Sequence, residues 1–267
     1  MKIVSWTTAG GDVRHGSWEE SGIRVLRGDW SGFEPTDDVI DASTVELGAP
    51  VQPRNIVCVG LNYLLHAQEA GLPVPEQPAL FTKLTTSLAA SGDVIVKPAA
   101  TEMLDYEVEL GVVIGTAARG VSVDHALKHV AGYITVNDVS ARDLQRGDAF
   151  GWVRGKSADT FCPVGQYVVS ADEIPDPQSL RLSTTVNGET RQDSTTADMI
   201  FTVAQIVSFI SSTVTLHPGD LILTGTPSGV ADGMSPPVYL EPGDHVVVSI
   251  DQLGRVENLV VAEGARA

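Results

Sequence analysis

Residues 105–115 read DYEVELGVVIG, and Glu107 and Glu109 stand two apart in an otherwise largely apolar alternation. On a β-strand successive side chains point to opposite faces, so these two carboxylates share a face with their Cα atoms about 7 Å apart. The run Val112, Val113, Ile114 that follows is that of a strand inside a sheet, where an unpaired charge is costly. A cation bound between the carboxylates relieves both their repulsion and their burial. The alternative is a half-exposed strand whose glutamates face water, and this stretch alone leaves both open. A second strand-like stretch, 132–138 (GYITVND), places Ile134, Val136 and Asp138 on one face, so Asp138 continues an aliphatic face rather than a wet one. Three carboxylates at two consecutive strand ends, with neither HExxH nor paired CxxC, describe an all-oxygen site. Such a site suits Mg²⁺, Mn²⁺ or Ca²⁺ and makes zinc a poor fit.

His66 and Glu69 are three apart in NYLLHAQEAG and fall on one face of a short helix, with Asn62 available as its cap and Gly71 as its stop. A carboxylate that orients an imidazole raises its basicity, which makes the two an acid/base pair. The competing reading is an incidental pair on a solvated turn. The Pro-containing segment 71–78 that follows reads as a loop able to move over a cleft. Residues 151–165 (GWVRGKSADTFCPVG) read as an irregular loop in which Arg154, Lys156 and Asp159 stand among glycines, a setting for an anionic substrate or for solvated charges. Lys83 and Lys97 either face an anion or are solvated, and solvation is the expected setting.

The elements that must hold these groups are mostly strands. Short strand-like pieces at 2–6 and 22–26 mark residues 1–50 as a small β-rich N-terminal subdomain, and Pro50 and Pro53 make a joint to a catalytic portion spanning 51–267. A dense strand lies in IVCVGL at 56–61, with four consecutive apolar residues ending at Gly60. Helices are expected at 124–130 with Ser122 as N-cap, at 140–145 with Ser140 or Asp138 as cap, and at 198–211. A strand at 179–186 enters a hairpin at Asn187-Gly188, and a buried strand at 221–225 delivers Thr226 into the turn GTPSGV.

The composition excludes several classes. A chain of 267 residues with 43% hydrophobic and 19% charged residues lies in the globular range, and a net charge of −17 argues against a nucleic-acid partner. Two cysteines, Cys58 and Cys162, are too few for a disulfide framework and read as reduced thiols of a soluble, cytoplasmic protein. No apolar run approaches the roughly 18 residues of a membrane span, and the first residues lack a signal-peptide core. GxSxG, Walker A and a dinucleotide fingerprint are absent, against serine hydrolysis, phosphoryl transfer and hydride transfer.

Five motifs in order (NYxxHAxE at 62–69, DYEVELGVVIG at 105–115, NDVSARDLQ at 137–145, RGKSADTFCPVG at 154–165 and LTGTPSGV at 223–230) resemble those of the fumarylacetoacetate hydrolase family over residues 55–260. The stretch Asp232, Gly233, Met234, Ser235 matches least well. The resemblance implies a mainly β fold with α elements, a mixed β-sandwich or β-roll enclosing a metal site, in a homodimer. It implies Glu107, Glu109 and Asp138 as ligands of one Mg²⁺ or Mn²⁺, and His66 and Glu69 as the acid/base pair on a mobile lid. Lys156 becomes the cation beside a developing enolate, and Gln145 and Thr226 become contacts to a substrate carboxylate. Arg142 is a further substrate contact, or a brace through Asp143 or a metal-ligand carboxylate. The expected reaction is metal-dependent C–C bond hydrolysis of a 2,4-dioxo acid such as an acylpyruvate. The rivals are decarboxylation of an oxaloacetate-like 2-oxo diacid, isomerisation of a 2-hydroxy-diene diacid, and a catalytically idle dimeric scaffold.

Overall fold

The computed structural model, described for residues 1–147 and 151–265, is mainly β with short helices, the architecture expected from the sequence. One large mixed sheet runs in the order Gly32–Ile40, Gly22–Asp29, Val13–Glu19, Lys2–Thr7, Val168–Ser170, Val130–Asn137, Val108–Ile114, Leu221–Leu223, Ile56–Gly60, Ala79–Lys83. The strands Cys162–Val164 and Leu88–Ala90 branch from it beside Val130–Asn137. A five-stranded sheet, in the order Glu189–Thr195, Arg181–Val186, His245–Ile250, Gly254–Ala262, Ile95–Lys97, packs against its inner face. The first four strands form a meander with its own small core around Val4, Trp6 and Ile23. The meander joins the large sheet where Lys2 pairs with Val169.

The strand Val108–Ile114 is buried along its whole length and lies antiparallel between Val130–Asn137 and Leu221–Leu223. Its alternation is that of a strand buried on both sides. Val108, Leu110, Val112 and Ile114 belong to the core shared with the five-stranded sheet and the helix Val203–Thr213. Val113 lies on the opposite face with Ile134, Val136, Cys58, Cys162 and Leu223. Glu107 and Glu109 share parity with Val113, and Asp138 shares it with Ile134 and Val136, so Glu109 continues this second apolar face at the start of its strand and Glu107 and Asp138 extend it just beyond the strand ends. The pairs Val108–Asn137, Gly111–Leu223 and Leu223–Cys58 set the register. They bring the start of one strand and the ends of three others to the same edge.

Several local expectations are corrected. The helix Leu64–Glu69 is not capped by Asn62, whose amide is occupied by Phe201 N–H and by the carbonyls of Phe201 and Thr224; Asp198 instead accepts from Leu65 N–H. Its stop is as expected. Gly71 at φ +65° lets its own N–H reach the Gln68 carbonyl and that of Leu72 reach Ala67, which closes the helix. The 124–130 helix is a single turn, Val123–Ala126, followed by a 3₁₀ turn, and Ser122 makes no side-chain cap bond. The 198–211 helix begins later, at Val203, because Thr202 and Gln205 form a reciprocal capping box there. Neither Ser140 nor Asp138 caps the helix Arg142–Arg146: its N-cap is Ala141, and the Asp138 carboxylate is taken by lysines.

The expected loop at 151–165 begins with a helix, Gly151–Lys156, and continues into the strand Cys162–Val164. Two glycines lower helix propensity and conceal that helix in the sequence. Their purpose is steric. A Cβ on Gly155 would lie 2.7 Å from the backbone of Gln145, so the two short helices can touch only with glycine at this position. Gly155→Ala is expected to cost about 1–3 kcal/mol through overpacking, read as a lowered denaturation midpoint at unchanged m-value. An unaltered midpoint would show that the two helices separate freely.

Candidate active site

At the edge described above, Glu107, Glu109 and Asp138 place a carboxylate oxygen each within 4.8 Å of one another, and their residues are only 4%, 1% and 0% exposed. The backbone fixes this meeting. Asp138 N–H donates to the Glu107 carbonyl at 2.9 Å, and Glu107 N–H donates to the Asn137 side-chain oxygen at 3.0 Å. Glu109 is held from the third strand, where Gly225 N–H donates to Oε2 at 2.7 Å.

Three buried cations stand among these acids. Lys156 Nζ donates to Glu107 Oε2 at 2.7 Å and to Asp138 Oδ2 at 2.9 Å, and Lys83 Nζ reaches Asp138 Oδ1 at 2.5 Å. Arg142 lies 2.6 Å from Glu107 Oε1 and 2.8 Å from Asp105 Oδ2. Arg142 therefore braces the site through a candidate ligand carboxylate and Asp105. Asp143, the other expected partner, instead accepts from Thr101 and from Glu102 N–H. The expectation that Lys83 and Lys97 are solvated is also corrected: both are buried, and Lys97 pairs with Glu241 at 2.7 Å.

Charge separates the two glutamates. Burial opposes ionisation of both, but Lys156 and Arg142 outweigh it at Glu107 and hold that carboxyl down at about 2. At Glu109 burial is reinforced by the negative charges of Asp138 and Glu107, and the carboxyl is pushed well above its ordinary value. Asp105, Glu107, Glu109 and Asp138 set four buried carboxylates against the three cations Lys83, Arg142 and Lys156. A hard divalent cation among the three clustered carboxylates fits this donor set. It also supplies the positive charge that Glu109 lacks.

His66 Nδ1 lies 3.0 Å from Glu69 Oε2, and Glu69 Oε1 accepts from Gly229 N–H at 2.9 Å. The pair is tied to the GTPSGV turn and is not an incidental pair on a solvated helix. His66, Glu69, Glu107, Glu109, Arg142, Gln145, Lys156 and Thr226 all line one cavity of about 670 Å³, and Asp138 lies one layer beneath it. Thr226 donates its hydroxyl to the Val108 carbonyl at 3.0 Å and accepts from Gln192 Nε2 at 2.9 Å, while the Gln145 amide oxygen accepts from Arg142 at 3.3 Å. Phe81 lies under the Lys156 ammonium, 5.3 Å from ring centroid to nitrogen, and packs against Trp152 on the apolar wall.

Sequence reasoning missed three contributors. Lys83 ends a strand with no polar periodicity, and no local pattern in the sequence singles out Asp105 or Gln192. Asp105 accepts from Ala231 N–H and binds Arg142, and Gln192, fully buried, holds both Val108 N–H and the Thr226 hydroxyl.

Residues 55–261 match the family model described as fumarylacetoacetate (FAA) hydrolase, C-terminal, and residues 1–50 match one described as Rv2993c-like, N-terminal. The chain belongs to the fumarylacetoacetate hydrolase family. It is 48% identical over 209 residues, 78% of this chain and 73% of the relative, to 2,4-didehydro-3-deoxy-L-rhamnonate hydrolase of Sphingomonas sp. (strain SKA58). It is 43% identical over 225 residues, 84% of this chain and 72% of the relative, to the mitochondrial oxaloacetate tautomerase FAHD2A of Bos taurus. The crystal structure of 2-hydroxyhepta-2,4-diene-1,7-dioate isomerase from Mycobacterium marinum superposes with a TM-score of 0.85 at 36% identity, covering 99% of this chain and 100% of that one. Members of this family act as hydrolases, isomerases and tautomerases, and this chain is an enzyme of that family.

Removing one partner from a buried ion pair leaves a charge without compensation. Lys83→Met is expected to destabilise the fold by about 3–5 kcal/mol, measured by urea denaturation. Arg181→Met, which breaks the exposed pair with Asp193, is expected to change it little. Equal effects of the two substitutions would contradict the charge balance drawn for the site.

Proposed function

We propose that the protein is a metal-dependent hydrolase that cleaves a C–C bond in a 2,4-dioxo acid of the acylpyruvate type, giving pyruvate and a carboxylic acid. The observation that carries this reading is the meeting of the braced His66–Glu69 pair with the buried carboxylate cluster in one cavity. Mg²⁺ or Mn²⁺ (or Ca²⁺) held by Glu107, Glu109 and Asp138 would supply Lewis acidity toward the 2-oxo acid end. It would also turn the balance of the buried cluster positive, the sign an anionic substrate requires.

Glu69, fixed by Gly229, engages Nδ1 of His66 and leaves Nε2 as the basic nitrogen. Nε2 takes a proton from the water that adds to the C4 carbonyl. When the C3–C4 bond breaks, its electron pair stays on C3 as the pyruvate enolate, beside the Lys156 ammonium, until C3 is protonated. Gln145 contacts the substrate carboxylate through its amide N–H groups, Thr226 does so when its hydroxyl turns from the Val108 carbonyl, and Arg142 keeps Glu107 in place. The 71–78 segment, which sends Leu72 to the cavity wall, closes over the bound substrate.

The rhamnonate hydrolase supports this reading, because its name describes a 3-deoxy acid oxidised at C2 and C4. A second reading is enolisation without water attack, as tautomerisation, isomerisation or decarboxylation of a 2-oxo diacid. The names of the tautomerase and isomerase relatives favour it, and it uses the same His66 and enolate site. An idle scaffold has no use for the His66–Glu69 brace. None of residues 1–50 lines the cavity, in keeping with their reading as a subdomain appended to 51–267. The strand Ala79–Lys83 ends the large sheet and exposes Leu80, an edge suited to a second copy in a homodimer. Two free, buried thiols agree with a cytoplasmic setting, and no helix among the described residues is long and apolar enough to cross a membrane.

His66→Ala is expected to lower turnover of an acylpyruvate about 10²–10⁴-fold in steady-state assays with Mg²⁺, and unchanged turnover would sink the acid/base assignment. In ¹⁸O-water the acid product should carry label. Release of CO₂, or keto–enol interconversion without cleavage, would select the second reading.

A further inference from the structure

The deep end of the cavity is taken up by the buried carboxylates and cations, while its mouth carries an ion pair with no part in that chemistry. The Arg146 side chain, 58% exposed, meets the Asp232 carboxylate, 22% exposed, and both residues line the cavity. Asp232 is firmly placed. Its Oδ1 accepts from the Tyr239 hydroxyl at 2.8 Å, its own N–H donates to Asp105 Oδ2 at 3.2 Å, and the adjacent Ala231 N–H donates to Asp105 Oδ1 at 2.8 Å. Asp105 binds Arg142, which lies against Glu107, so the position of the mouth acid is set from the metal-site end. Arg146 ends the same short helix that Arg142 begins. Leu72, Phe81 and Trp152 give the same cavity an apolar portion of its wall.

An arginine at a cavity mouth attracts a carboxylate when it stands alone. Here its charge is already matched by an anchored aspartate, which would lie against an incoming carboxylate and repel it. The pair presents N–H donors and carboxylate acceptors side by side, and a hydroxyl, being both donor and acceptor, can use the two together. We propose that the Arg146–Asp232 pair is a specificity device that selects 2-oxo and 2,4-dioxo acids with an uncharged, hydroxylated distal end and rejects those ending in a second carboxylate. The inference takes the identity of the oxo-acid end from the reading above, while its selectivity rests on the mouth alone.

The test compares kcat/KM of the Mg²⁺-loaded enzyme for 5-hydroxy-2,4-dioxohexanoate and for 2,4-dioxoheptanedioate. It is paired with dissociation constants, by calorimetry, for 6-hydroxy-2-oxohexanoate and 2-oxohexanedioate. The wild type should favour the hydroxylated member of each pair by about tenfold or more. Asp232→Asn, nearly isosteric and still able to accept from Tyr239, should shift both ratios toward the carboxylate by a similar factor, because it frees Arg146. Arg146→Met, a change at an exposed position, should weaken the hydroxylated ligand without improving the carboxylate. A wild-type preference for the carboxylate-ended member, or ratios in Asp232→Asn equal to those of the wild type, would overturn the proposal. If neither dioxo acid is cleaved, the hydrolase reading falls, and the selectivity is still decided by the two dissociation constants.

Discussion

Everything in this molecule that bears on chemistry depends on keeping four carboxylates and three cations together inside a sheet. Taken singly, each of these groups would be expelled by the cost of losing its hydration. They are tolerated because Lys83, Lys156 and Arg142 are distributed so that Asp138, Glu107 and Asp105 each have a cationic partner at hydrogen-bonding distance. Among the described residues, Glu109 has only the Gly225 N–H at hydrogen-bonding distance. That asymmetry is the physical reason to place a cation at the three-carboxylate cluster, since among the described residues the remaining acid is the one with no cationic partner at hydrogen-bonding distance.

The rest of the fold serves that cluster. Val108–Ile114 and its neighbours are buried on both faces, so the strand ends cannot drift, and the paired Asp138 N–H and Glu107 carbonyl lock the register where the acids emerge. Gln192 crosses from the second sheet to hold the start of that strand and the Thr226 turn at once. The His66 helix stands apart from this rigid part. It is only six residues long and is attached through Asp198, through Gly229 and by its closing turn at Gly71. A fixed charged floor and a separately anchored His66–Glu69 pair suit a family whose members carry out hydrolysis, isomerisation and tautomerisation.

The carboxylate cluster was legible in the sequence because strand alternation has a period of two. Parity alone put Glu107 with Glu109, and Asp138 with Ile134 and Val136, on faces the structure shows to be buried. The His66–Glu69 spacing was legible for the same kind of reason, and so was the family, since five motifs occur in one order. Reach and steric fit were not. Lys83 sits at a strand end and its long side chain crosses to Asp138, which no local pattern records. The helix Gly151–Lys156 was hidden by glycines whose purpose is the close approach of Gln145, a tertiary fact. Asn62 looked like a cap because of its type, yet its amide is spent on Phe201 and Thr224, far along the chain.

The central claim is that the carboxylate cluster holds a cation independently of the His66–Glu69 pair. Titration of metal-stripped protein with Mn²⁺, followed by loss of the free-ion electron paramagnetic resonance signal, tests it directly. The account predicts about one ion per chain, bound alike by the wild type and His66→Ala, with no saturable binding in Glu109→Ala. Undiminished binding in Glu109→Ala, or binding lost in His66→Ala, would contradict it.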